Sequence, residues 1–161
     1  MSYFTLYWKN DTWAHKAEEA SAGKPKLEYA ASCQFRRAGV KPGSTVFVVT
    51  VLDGILHVAG LVKVDQVLSS KREAAAALDI PEAELWDSDY YIIPKSGTAD
   101  LFRGNVAVSP SVAAGLQFES RIGVVSSPKI LPSGILDRQT LRPVRRLARD
   151  SERALLTAIG L

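Results

Sequence analysis

The chain has 161 residues, 47% of them hydrophobic, and carries a net charge of +3, which suits a single domain with a core of its own. One cysteine, Cys33, excludes an internal disulfide and any cysteine-based zinc site, and the isolated His15 and His57 leave little for another metal centre. No apolar run approaches the roughly 18 residues of a membrane span and the N-terminus lacks signal-peptide features, so the expectation is a soluble, cytoplasmic protein needing no cofactor.

In chain order, Tyr3 to Trp8 reads as a first strand. Asn10-Asp11-Thr12 is a helix-start signal, with Asp11 or Thr12 capping a helix from near Trp13 to Gly23-Lys24-Pro25. Leu27 to Ala38 carries Leu27, Ala30, Ala31 and Phe35 at helical spacing and stops at Gly39. The turn Lys41-Pro42-Gly43-Ser44 delivers the chain into an apolar hairpin, Val46 to Val64, that folds back at Asp53-Gly54. Neither face of Val46, Val48, Val49 and Val51 is polar, so this strand should be central and covered on both sides.

Beyond the hairpin, Ser70-Lys71-Arg72-Glu73 reads as a capping box opening an alanine-rich helix, and Pro81 to Trp86 as a short acidic helix. Tyr90 to Ile93 and Asn105 to Val108 read as strands, Lys95 to Thr98 as a loop, and Ser109-Pro110 as the start of a helix burying Val112, Ala113 and Leu116. Arg121 to Ser133 is irregular or an edge strand, Asp137 to Leu141 a turn, and Asp150 to Ile159 a last helix packing through Leu155, Leu156 and Ile159. The order predicts one α+β (mixed α/β) domain over 1–161: five or six mixed strands in a small sheet or open barrel surrounded by helices, with 120–161 as a helical extension.

No residue pattern signals catalysis: there is no acid-oriented histidine beside a serine or Cys33, no ligand-spaced acid cluster and no phosphate-binding glycine fingerprint. Trp8, Trp13 and Trp86 fall at the ends of elements, where they either cap the core or line a pocket. Their polar company favours a pocket, since Lys9, Asn10 and Asp11 follow Trp8, and Ser88 and Asp89 follow Trp86. Cys33, more readily a small buried hydrophobe than a reactive thiol, is flanked by Ser32 and Gln34, which can also present polar groups. Arginines crowd the C-terminal segment at Arg138, Arg142, Arg145, Arg146, Arg149 and Arg153, and Arg36, Arg37 and Lys41 form a second cluster; each is either a polyanion site or a solvated face.

Val40-Lys41-Pro42-Gly43-Ser44-Thr45-Val46-Phe47-Val48-Val49 resembles the KPGD turn and central strand of EVE and related PUA-like domains, with Ser44 in place of the usual acid. The strand Ile55 to Val64, with Ala59-Gly60, resembles its counterpart in EVE and YTH domains, and the likeness spans about residues 3 to 118. It implies a PUA-like open barrel whose pocket takes a flipped modified base. Position by position it matches Trp8, Lys9 and Asn10 to the end of the first strand, Ser32, Cys33 and Gln34 to the polar stretch before the central strand, and Trp86 to a cage tryptophan of YTH domains. With Trp13 these form the expected base pocket, while Arg36, Arg37, Lys41, Lys95, Arg103, Arg142, Arg145 and Arg146 would hold nucleic-acid backbone. The expected activity is non-enzymatic reading of modified cytosine in prokaryotic DNA, as in modification-dependent restriction, with any nuclease a separate domain or subunit. RNA binding by a PUA-like module and an ASCH-like enzyme are the alternatives.

Overall fold

The computed structural model describes residues 1–104, 106–148 and 150–161. At the hairpin tip both Asp53 and Gly54 take positive φ, 51° and 76°, the combination a two-residue turn needs to follow the right-handed twist of its strands. The elements are β1 (Tyr3–Tyr7), α1 (Asn10–Ser21), β2 (Lys26–Leu27), β3 (Ala30–Ala31), α2 (Phe35–Ala38), β4 (Thr45–Leu52), β5 (Ile55–Leu68) and α3 (Lys71–Leu78). There follow β6 (Tyr91–Pro94), β7 (Asp100–Leu101), α4 (Pro110–Ala114), β8 (Phe118–Glu119), β9 (Val125–Ser126), β10 (Val144–Leu147) and α5 (Ser151–Ala158). Together they make a mixed α/β chain with an eight-stranded sheet, ordered β3-β6-β5-β4-β1-β10-β8-β9, and a separate β2-β7 pair.

Among the described residues only the β1–β4 pairing is parallel. β4 is buried from Thr45 to Val51, as its unbroken apolar pattern requires. Alternation sends Phe47, Val49 and Val51 into a core with Phe118, Leu141 and Leu155, and sends Val46 and Val48 into a second core with Phe4, Trp13 and Phe35. α1 and α2 therefore cover one face of the sheet, and α4 and α5 the other. β5 pairs with β4 along its first part and with β6 along its second, bending where the register shifts between Val64 and Gln66.

Gly60 makes a close approach possible. At φ 152°, a Cβ on it would lie 2.6 Å from the Leu101 carbonyl oxygen and 2.8 Å from Asp100 Oδ2. That loop is held by the Asp100 carboxylate, which accepts from the Leu61 N–H (3.0 Å) and from Arg103 Nη1 (2.6 Å). Its neighbour Phe102 enters the α1-side core.

Several expectations need correction. The sheet has eight strands rather than five or six. Leu27 to Ala38 is not a helix: Ser32 Oγ accepts from the Gln34 N–H (3.1 Å), a local bond that competes with helix, and β2 and β3 find partners in β7 and β6. α1 starts at Asn10, with Lys9 at its N-cap and no capping side chain. Pro81 to Trp86 holds only a turn of 3-10 helix, Glu82–Glu84. Val112 is exposed, although Ala113 and Leu116 are buried. The C-terminal stretch is not simply helical: β10 lies inside the sheet against β1, with Phe4 opposite Arg146. Of the strand expected over Asn105 to Val108, Asn105 lies outside the described residues and Ala107 forms one bridge to His57. Ser70 does cap α3, accepting from the Glu73 N–H at 3.1 Å. No helix among the described residues is long and apolar enough to cross a membrane.

Candidate nucleic-acid interface

β1 ends against the central strand, and that contact places Trp8. The Trp8 N–H donates to the Val49 carbonyl (2.9 Å), and its own carbonyl accepts from Thr50 Oγ1 (2.6 Å). The half-buried indole rests on Phe102, with ring centroids 6.4 Å apart and planes 23° from parallel. One wall of a cleft of about 1520 Å³ is thereby fixed to the most buried strand of the molecule.

α1 supplies the adjoining wall through Thr12, His15, Lys16 and Glu19, which recur at i, i+3, i+4 and i+7 and so share one helix face. Opposite lies the loop carrying Trp86, 45% exposed and in edge-on contact with His15 at 5.2 Å. Two tyrosines grip the Trp86 backbone: Tyr29 Oη accepts from its N–H (3.2 Å), and Tyr91 Oη donates to its carbonyl. Burial pushes the Tyr29 hydroxyl up to about 12, the hydrogen bond to Trp86 opposing and Glu19 adding to the effect. Beside it Lys71 and Asp87 pair at 2.6 Å, the hydrogen bond raising the lysine and lowering the aspartate. Ser88 and Asp89 line the same cleft.

Of the eight residues expected in the base pocket, Trp8, Lys9, Ser32, Cys33 and Trp86 line this cleft. Trp13 does not: it is buried edge-on to Phe102 at 5.1 Å, as core. Asn10 begins α1 outside the lining, with its Oδ1 accepting from Thr50 Oγ1 at 3.3 Å. Gln34 faces a different depression, and Cys33 is exposed rather than a buried hydrophobe. The residues that sequence reasoning missed are His15, Tyr29 and Thr50. The polar stripe at helical spacing on α1 was a legible signal for His15; the other two depend on long-range contacts.

The second depression, about 350 Å³, lies between α2, β10 and the β8–β9 hairpin and is lined by Gln34, Arg37, Glu119, Ser120, Arg121, Arg145 and Arg146 among others. Pro143 lines both depressions. Among the expected backbone contacts, Arg36, Arg37, Lys41, Lys95 and Arg146 are exposed. Arg142 lies over the Tyr7 ring at 5.6 Å. Two are occupied elsewhere. Arg103 is paired with Asp100. Arg145 donates to the Thr140 carbonyl and to Ser126 Oγ (3.1 Å) and covers Phe118 at 4.8 Å, and burial depresses its guanidinium below the ordinary value. Arg149 lies outside the described residues. Among the described residues no group of three or more His, Cys, Asp or Glu side chains is arranged to hold a metal ion. The chain matches no family model, no curated protein and no solved structure.

Proposed function

We propose that this chain is a nucleic-acid reader of the PUA-like type, akin to EVE domains, that takes a modified base, above all modified cytosine in DNA, flipped into the cleft beside Trp8 and Trp86. The observation that carries the proposal is the convergence of these two tryptophans on one cleft with Lys9, Ser32, Ser88 and Asp89. An aromatic wall selects a flat ring and a few polar groups read its edge. Trp8 is anchored at both its N–H and its carbonyl, which gives the wall the rigidity that stacking requires. The bend of β5 between β4 and β6 supports reading the sheet as a PUA-like open barrel. Cleavage in this reading belongs to a separate nuclease domain or subunit, and the protein acts in the cytoplasm.

A gel-shift series of duplexes differing in a single cytosine modification tests the proposal. Tighter binding of one modified duplex is expected, with Trp8→Ala and Trp86→Ala each weakening it by about tenfold, since a stacked base contributes roughly 1–3 kcal/mol. Equal affinity for every duplex would overturn it. One observation favours an RNA-binding module as the second reading: about 1520 Å³ exceeds the range of ordinary small-ligand pockets and leaves room for further unstacked nucleotides of a single strand. Preference for RNA over DNA of the same sequence would select it.

A further inference from the structure

We infer that the smaller depression is the phosphate groove for the strand whose base occupies the cleft, with Arg37, Arg121 and Arg146 as its contacts; this rests on the reader proposal and adds to it the path of the strand. The ion pairs formed by the described residues involve none of these three arginines. They converge from three separate elements: Arg37 from α2, Arg146 from β10 and Arg121 from the turn between β8 and β9. Unpaired guanidinium groups meeting in one concavity of about 350 Å³ form a site for phosphate oxygens, which they grip in a fork geometry. Arg146 is tied only loosely, to Ser2 Oγ at 3.3 Å. Glu119 is the single acid in the lining, and the cationic excess over it remains large.

Continuity with the cleft gives the groove its strand. Cys33 lines the cleft and the next residue, Gln34, lines the groove, while Pro143 lines both. The crossing is thus one peptide wide, about 3.8 Å between Cα atoms. A nucleotide repeat of at least about 3.4 Å spans it. A base seated in the cleft therefore delivers its neighbouring phosphate onto Arg37 and Arg146, and Gln34 at the divide can donate to the same phosphodiester. Arg145, although it borders the groove, is consumed by Thr140 and Ser126 and holds the β9 hairpin in place.

Fluorescence anisotropy with a labelled single strand and a labelled duplex of about twelve nucleotides, unmodified and with one C5-methylated cytosine, over about 50 to 200 mM KCl, tests the inference. Arg37→Gln, Arg121→Gln and Arg146→Gln should each weaken binding equally for modified and unmodified probes. Each should lower the slope of log affinity against log salt by about 0.7 for the single strand or 0.9 for the duplex. Glu119→Gln should strengthen binding, a gain that a misfolded variant cannot mimic, and Arg153→Gln should leave the slope unchanged. Slopes that fall without any preference for the modified probe would uphold the groove and overturn the reader. A preference for the modified probe with unchanged slopes and no gain from Glu119→Gln would overturn the groove and leave the reader standing. Inorganic phosphate binding as tightly as the oligonucleotide would overturn the strand path, and no binding of any probe would overturn both.

Discussion

Replacing Thr50 by valine keeps the volume and the strand preference of the side chain and deletes one hydroxyl. That hydroxyl is buried beneath α1 and donates to the Trp8 carbonyl at 2.6 Å. Its loss strands a carbonyl whose peptide is otherwise locked by the Trp8 N–H on Val49. Leaving a buried acceptor without its donor costs about 1–3 kcal/mol, and the added methyl group returns up to about 0.8 kcal/mol. A net loss of about 1–2 kcal/mol follows. In urea unfolding it appears as a lower midpoint with the slope unchanged, and in thermal unfolding as a Tm lower by roughly 2–4 °C per kcal/mol. The control is the same exchange at Thr5, whose buried Oγ1 has no hydrogen-bond partner. Thr5→Val removes an unsatisfied group and should raise stability by about 1 kcal/mol. Opposite signs for one chemical change at two buried threonines would uphold the reasoning. Thr50→Val as stable as the parent, or Thr5→Val equally damaging, would refute it.

Gly60→Ala should destabilise the protein by about 1–3 kcal/mol or more, because the backbone is at positive φ and the new Cβ meets the Leu101 carbonyl at 2.6 Å; chemical denaturation measures it. Burial raises the Asp100 carboxyl, but Arg103 and the Leu61 and Leu101 N–H groups outweigh it, so the net shift is downward. Its stabilisation is therefore present above the unfolded value of about 3.9 and is lost as pH falls through the lowered folded value. Asp100→Asn should flatten the stability profile in that acid window, as read by thermal unfolding against pH. Tyr29, raised to about 12, should stay protonated where an exposed tyrosine ionises, and its stabilising share should fade as pH rises from about 10 toward its folded value. An ultraviolet absorbance titration that loses one late-ionising group in Tyr29→Phe would show it. The same variant should speed hydrogen exchange at the Trp86 amide, which loses its acceptor.

The hairpin was the most legible part of the fold, because β-branched runs and Asp53-Gly54 make local demands that agree with the global answer. β10 was hidden: Val144-Arg145-Arg146-Leu147 breaks the two-residue alternation, and the strand exists because β1 and β8 offer open edges and the Arg145 side chain covers Phe118. The segment Leu27 to Ala38 had helical spacing, yet two-residue pairings with β6 and β7 overrode it, which no local pattern announces. For the site, Trp8 and Trp86 were readable from their polar neighbours. Trp13 shared the same kind of position and became core, because α1 turns it inward onto Phe102. Arg103 and Arg145 looked like free cations for the same reason: the partners that occupy them, Asp100 apart, come from distant turns and strands.

Nitrogen-labelled protein offers a direct view of the cleft, since each of Trp8, Trp13 and Trp86 contributes one indole N–H resonance. On titration with an oligonucleotide carrying the modified cytosine, the resonances of Trp8 and Trp86 should shift together while that of buried Trp13 stays in place, and the unmodified strand should move neither. Unshifted Trp8 and Trp86 resonances at saturation, or equal shifts with the unmodified strand, would contradict the claim that this cleft reads a base.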